Sequence, residues 1–122
     1  MQIKELLSSN GRIPRSTYWA FVGCMLVFFI LLGAASKALP KSAEPLVGLS
    51  VLPVMLLGII IQVKRWHDLD KSGWWVLFNF LPFIGGIITF INCGCLKGTE
   101  GPNRFGDDPL ALPPPPPFFS IK

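Results

Sequence analysis

Three stretches of the chain carry no charged residue: Tyr18 to Ala35, Leu46 to Val63 and Gly73 to Leu96. The first two are eighteen residues long, and at about 1.5 Å per residue a helix of that length approaches the roughly 30 Å of a bilayer's hydrocarbon core. The first holds nine Phe, Val, Leu or Ile residues and the second twelve. For the first alone this favours insertion by roughly 3 to 5 kcal/mol before smaller penalties are subtracted. The third stretch is interrupted by Asn79, Pro82, the Gly85-Gly86 pair and Asn92. Proline removes a backbone donor, so the helix is expected to kink or break there. The pattern predicts an all-α integral membrane protein, a compact bundle of three transmembrane helices spanning 18–35, 46–63 and 73–96, the third kinked or broken near Pro82 and Gly85-Gly86. The alternative for the third is a re-entrant hairpin returning to the side it entered from, which needs protein around its irregular backbone.

The connections Ser36 to Pro45 and Lys64 to Ser72 are short, which makes neighbouring helices antiparallel. A cleaved signal peptide competes for the first stretch, since Ala34, Ala35 and Ala38 supply small residues after an apolar run. Against it, seventeen residues precede the run, which is longer than the usual h-region of about 7 to 15 residues. One membrane domain is assigned to 1–109, followed by a proline-rich tail over 110–122. Its five consecutive prolines, Pro113 to Pro117, require extended polyproline-II backbone. The tail is read as a disordered end rather than a docking segment.

Composition agrees with the pattern. Of 122 residues, 51% are hydrophobic and 15% charged, against about 45–50% and about 25% in soluble domains, which argues against a soluble enzyme. The net charge is +4, but the Lys and Arg residues are scattered through connections and tails. A basic rim against lipid headgroups accounts for them better than a nucleic-acid surface. With three full spans, Lys4, Arg12, Arg15, Lys64, Arg65 and Lys71 share one side, against Lys37, Lys41, Lys97 and Arg104 on the other. That bias places the N-terminus and the 64–72 loop in the cytoplasm. Tyr18, Trp19, Trp66, Trp74 and Trp75 fall at the same side, as interfacial anchors.

The densest polar cluster runs from Lys64 to Trp75. If the second helix continues past the membrane, Lys64, His67, Asp68 and Lys71 share one face and Arg65 neighbours Asp68. Such a face could hold an anionic headgroup or move a proton through His67; alternatively Asp68 pairs with a cation and the histidine is interfacial. Asp70 or Ser72 can cap the third segment. Cys24, Cys93 and Cys95 do not make a metal site, because zinc needs four ligands and His67 is expected at the other surface. No catalytic constellation, cofactor loop or metal-ligand set is recognisable. Past the last span, Gly98 to Pro109 is turn-rich, and an ordered loop is expected in which Asn103 or Asp107 bonds nearby backbone. Arg104 would reach a phosphate or pair with Asp107 or Asp108.

Gly11-Arg12-Ile13-Pro14-Arg15-Ser16-Thr17-Tyr18-Trp19 resembles the GRIxRxxYW signature of the domain of unknown function 805 family. Lys64-Arg65-Trp66-His67-Asp68 with Ser72-Gly73-Trp74-Trp75 is similar to its RRLHDxxxSGWW block, and Gly101 to Pro109 to its GxNRYGxDP ending. Lys64, Trp66 and Pro14 depart from those patterns. The resemblance implies a multi-pass protein of the bacterial inner membrane and directs attention to Arg12, Arg15, His67, Asp68, Asn103 and Arg104, beside Arg65 from the basic cluster. If the third segment is re-entrant, all three blocks gather at one surface. The leading expectation is a non-enzymatic protein that binds membrane lipids or a membrane partner protein, a second copy included, with no cofactor and no nucleic acid. A subunit of an oligomeric transporter or channel, lined by Gln62, Asn79 and Asn92, is the alternative. An enzyme using His67 and Asp68 comes third.

Overall fold

The structure, a computed structural model, describes residues 2–112, and the regular elements among them are helical. A short α1 (Ile3–Leu7) precedes α2 (Arg15–Ala38), and a 3-10 turn at Lys41–Ala43 leads into α3 (Glu44–Asp68). Pro45 sits in the first turn of α3, where its missing N–H costs no helical bond. The helices α2 and α3 pack antiparallel, Gly58 of α3 facing Phe21 and Met25 of α2. Their 24 and 25 residues extend about 36 and 38 Å, enough to cross a membrane. The most apolar eighteen-residue windows of the two are only 0% and 6% buried inside the protein. Those surfaces need an apolar solvent from outside.

The third apolar stretch is not one helix. Gly73–Phe80 is a 3-10 run capped by Ser72, whose hydroxyl accepts from the Trp74 N–H at 3.2 Å. The chain then reverses, and α4 (Ile84–Thr89) followed by the π-helical Phe90–Cys95 carries it back. The reversal is a γ-turn centred on Phe83, at φ +62°, closed by the Ile84 N–H donating to the Pro82 carbonyl at 2.7 Å. Bulky side chains rarely adopt that backbone. Gly85 then lets α4 lie against the outgoing arm, since a Cβ there would run into the Phe78 carbonyl. Side-chain bonds from Thr89 to Asn79 at 3.1 Å and from Lys71 to Asn92 at 3.0 Å tie the arms together.

The break falls where Pro82 and Gly85-Gly86 placed it, but the arms double back instead of continuing across. The returning arm, Ile84–Cys95, reaches only about 18 Å even at α-helical rise, well short of a hydrocarbon core. It bonds Arg15 and Trp19 of α2 and Arg65 of α3, while the outgoing arm meets Gln62 and Trp66 of α3 through Asn79 and Trp75. In place of the expected bundle of three spanning helices, a long helical pair carries a hairpin folded across one end. Buried apolar residues collect at that end: Ile13, Ile61, Trp66 and Cys93. The proline run and the residues after it, 113–122, lie outside the described residues.

Candidate functional site

A helix leaves its last four carbonyls without intrahelical partners. The returning arm ends in π-helical i to i+5 bonding, and among the carbonyls this leaves open are those of Cys93, Gly94, Cys95 and Leu96, each met by a side chain from one of the long helices. Arg65 Nε donates to the Cys93 carbonyl at 2.7 Å, Trp19 Nε1 to Gly94 at 2.9 Å, Arg15 to Cys95 at 2.9 Å, and a terminal nitrogen of Arg65 to Leu96. The two cations also sit where the negative end of the helix dipole favours them. Gly94 admits the indole, because a Cβ there would approach the Trp19 ring to 2.6 Å.

Arg65 turns its other terminal nitrogen to one carboxylate oxygen of Asp68, three residues on. The second oxygen takes Arg12, at 3.1 Å from Nε and 3.0 Å from a terminal nitrogen. These side chains are 1% (Arg12), 0% (Arg65) and 4% (Asp68) exposed. Two guanidiniums on one carboxylate leave one buried positive charge, which is tolerable only if the remaining nitrogens find acceptors. The loop after the hairpin supplies them: Arg12 donates to the carbonyls of Thr99 at 2.5 Å, Gly101 at 2.7 Å and Gly106 at 3.3 Å. The Asp68 carbonyl in turn accepts the Thr99 N–H at 2.7 Å. Gly98 lies flat on the Asp68 carboxylate, where any Cβ would collide with it.

His67 lies beyond the apolar run of α3, which ends at Val63. Its Nδ1 is 3.1 Å from the Gly11 carbonyl; a carbonyl can only accept, so Nδ1 carries the proton. The ring stacks on Phe105 with centroids 3.9 Å apart and planes within 4°. Burial pushes the imidazole below its ordinary range, and nearby Arg104 acts in the same direction while the Gly11 carbonyl opposes them. The His67 carbonyl accepts the Asn103 amide at 2.9 Å. Arg104 pairs with Asp70, at 2.9 Å to its carbonyl and 3.3 Å to its carboxylate, rather than with Asp107 or Asp108. The loop is ordered by an Asn103–Gly106 bridge, by Asn103 Oδ1 accepting from Phe105 at 2.9 Å, and by Asp108 accepting from Gly101 and Leu110. Those two N–H groups, Leu110 first, hold the Asp108 carboxyl below its usual range.

Arg12, Arg15, Arg65, His67, Asp68, Asn103 and Arg104 therefore meet at one end of the helical pair. Lys64, His67, Asp68 and Lys71 do not act as one face: they bind the Glu5 carbonyl, Gly11, the two arginines and Asn92 respectively. Trp66 is not an interfacial anchor. The hairpin closes over it, leaving it 0% exposed, stacked 5.5 Å from Trp75 with Lys71 over both rings. Tyr18, Trp19, Trp74 and Trp75 keep part of their surface outside. The acceptors at Thr99, Gly101 and Gly106 were not legible in the sequence, because a backbone carbonyl has no residue signature; Phe105 had only its place in a motif to mark it.

The carboxylate is chemically closed, since both Asp68 oxygens are held by guanidinium. His67 faces the Gly11 carbonyl through Nδ1, while its Nε2, on the Gly73 side, has no hydrogen-bond partner among the described residues. Among the described residues no group of three or more His, Cys, Asp or Glu gathers as a metal ion would require.

The chain is 35% identical over 115 residues to the inner membrane protein YhaH of Escherichia coli strain K12, covering 91% of this chain and 94% of that protein. It is 32% identical over 107 residues to the inner membrane protein YhaI of the same strain, covering 88% and 90%. The uncharacterized protein YiiR of that strain is 29% identical over 131 residues, covering 84% and 86%. No solved structure matches. Residues 6–107 match the model of a family described as protein of unknown function (DUF805), a range that contains the hairpin and every residue of the arginine–aspartate cluster, and the chain belongs to that family.

Proposed function

We propose that the chain is a two-span protein of the bacterial inner membrane that works without catalysis, its locked polar end presenting a basic and aromatic rim to lipid headgroups and to a membrane partner protein. The observation that carries this reading is the internal bonding of the charged cluster, in which every nitrogen of Arg12 and Arg65 and both Asp68 oxygens have a partner within the protein. Guanidiniums and a carboxylate whose hydrogen bonds are internal hold a shape: none of Arg12, Arg65 and Asp68 is left as a free base, nucleophile or anion-binding fork. The location rests on the family and on the two relatives named inner membrane proteins.

In this topology the hairpin enters only one leaflet's depth. Trp74, Phe80 and Phe83 are 77%, 82% and 89% exposed, which suits rings resting in the interface and the upper acyl region. The loop after the hairpin then shares a side with the N-terminus. Lys4, Arg12, Arg15, Lys64, Arg65, Lys71, Lys97 and Arg104 lie there, against Lys37 and Lys41 opposite, a bias that makes the crowded side cytoplasmic. The outward cations of the rim are Lys4, Arg15, Lys97 and Arg104; arranged around apolar spans, they suit lipid rather than nucleic acid. The transporter reading draws less support, since Gln62 pairs with Asn79 and Asn92 with Lys71.

Single cysteines at Ser9 and Asp107, with Cys24, Cys93 and Cys95 replaced, test the topology. Both should label from the cytoplasmic face only, and labelling from opposite faces would remove the two-span reading. Charge reversal at Lys4, Lys97 and Arg104 should release co-purifying lipid or partner; unchanged co-purification would remove the rim's role.

A further inference from the structure

Between α2 and α3, opening sideways, lies a groove of about 400 Å³, within the range of small-ligand sites. Its walls are apolar, formed by residues such as Phe21, Met25 and Ile59, and its floor is the bare backbone at Gly58, where a Cβ would already touch Met25 and Phe21 at 3.6 and 3.7 Å. One end is different: Tyr18, Gln62 and Asn79 line it. The two amides bond each other reciprocally, with Thr89 adding to Asn79 Oδ1 at 3.1 Å. Each amide nitrogen still carries a second N–H, and the Tyr18 hydroxyl has no partner among the described residues. Donors left open beside hydrocarbon are costly, by several kcal/mol each where no water reaches. They call for an acceptor that arrives with whatever fills the groove.

The dimensions and the charge narrow the occupant. From Tyr18 to Phe29, the ends of the α2 wall, the groove runs about 17 Å at helical rise. That is the depth of one leaflet, half of a core of about 30 Å. One turn beyond the polar end, on the stripe of α2 that continues through Tyr18, Val22 and Phe29 at spacings of three, four and seven, stands Arg15. It gives one bond to the Cys95 carbonyl, and its other guanidinium nitrogens have no partner among the described residues. A cation, then hydroxyl and amide donors, then a leaflet-deep apolar channel is the sequence of groups that an anionic phospholipid presents in complement: phosphate, ester carbonyl, acyl chain.

We infer that the groove between α2 and α3 binds one anionic phospholipid, its acyl chain along Gly58, its ester carbonyl at Tyr18 and Asn79, and its phosphate at Arg15. This rests on the membrane reading above and names the lipid that reading leaves general. The test is native mass spectrometry of the full chain, delipidated in mild detergent and titrated with phosphatidylglycerol or phosphatidylcholine. The wild type should hold one phosphatidylglycerol per chain. Gly58→Phe, which fills the floor, should weaken that first lipid about tenfold or more. Arg15→Gln should lower phosphatidylglycerol to the level of phosphatidylcholine, and Asn79→Leu should weaken both. Gly48→Phe, in open space on the same helix, should change nothing. Equal retention by wild type and Gly58→Phe overturns the proposal, as does lipid binding only in graded, unspecific numbers. So does a wild-type dimer that Gly58→Phe dissociates, which would give the groove to a second copy. Should Gly58→Phe lose helical content by circular dichroism, Arg15→Gln and Asn79→Leu decide alone. Release of the chain from membranes by alkaline carbonate would sink the membrane reading itself, whereas a chain that stays but holds no lipid sinks only the groove.

Discussion

Replacing Asp68 with Asn puts the arrangement of the charged cluster to its sharpest test. The change is isosteric and removes only the negative charge. Both carboxylate oxygens accept from guanidinium, one from Arg65 and the other from Arg12 at 3.0 to 3.1 Å, so in either orientation the Asn amide would set its NH₂ against an N–H donor. Two buried guanidiniums, 0% and 1% exposed, would then have no counter-ion. Removing one partner of a buried pair costs about 3–5 kcal/mol, a large part of the roughly 5–15 kcal/mol that holds a domain folded. The measurement is unfolding in mixed micelles titrated with sodium dodecyl sulfate, read by circular dichroism, alongside cysteine accessibility at the otherwise buried Cys93. Asp68→Asn should lower stability by about 4 kcal/mol and open Cys93 to labelling. The double variant Asp68→Asn/Arg12→Met should recover only part of the loss, because the Thr99, Gly101 and Gly106 carbonyls lose their donor. A single variant within about 1 kcal/mol of wild type, with Cys93 still protected, would refute the view that this triad holds the hairpin in place.

Gly98→Ala places a Cβ on the Asp68 carboxylate and should cost about 1–3 kcal/mol, detectable in the same titration. Trp19→Phe keeps an aromatic ring but removes the bond to the Gly94 carbonyl; the loss should be about 1 kcal/mol, and proteolysis in the 97–109 loop should quicken. His67 is held below its ordinary value of 6.5, so the fold favours its neutral form. Stability should be full above about pH 6.5 and decline as pH falls below it, because the unfolded chain takes up the proton first. His67→Gln should flatten that part of the profile, and a wild-type profile with no slope there would remove the claim.

The two long helices were legible because eighteen consecutive uncharged residues leave few alternatives. The third stretch was equally uncharged, and hydropathy cannot separate a helix that crosses from one that turns back. Pro82 marked the break, but its direction comes from the γ-turn at Phe83 and from Gly85 docking on the Phe78 carbonyl. Both are tertiary outcomes. The cluster residues announced themselves as charges in an apolar chain. Their targets did not, since Arg12 and Arg65 reach mainly backbone carbonyls. Trp66 carries the same side chain as Trp74; only the fold buries one and exposes the other.

The caps on the returning arm also bear on the order of synthesis. Arg12, Arg15 and Trp19 are made first and Arg65 and Asp68 next, yet the carbonyls that receive them run from Cys93 to Gly106. While the ribosome is still adding the hairpin, Arg65 has only Asp68, three residues on along one helix, and Asp68 has only Arg65 and Arg12. Arg12 acquires its remaining acceptors only when Thr99, Gly101 and Gly106 emerge. The membrane pair can thus be inserted before its polar end closes, and the loop after the hairpin acts as a latch. A nick anywhere between Lys97 and Gly106 would undo from the last-made side what the first-made arginines hold shut.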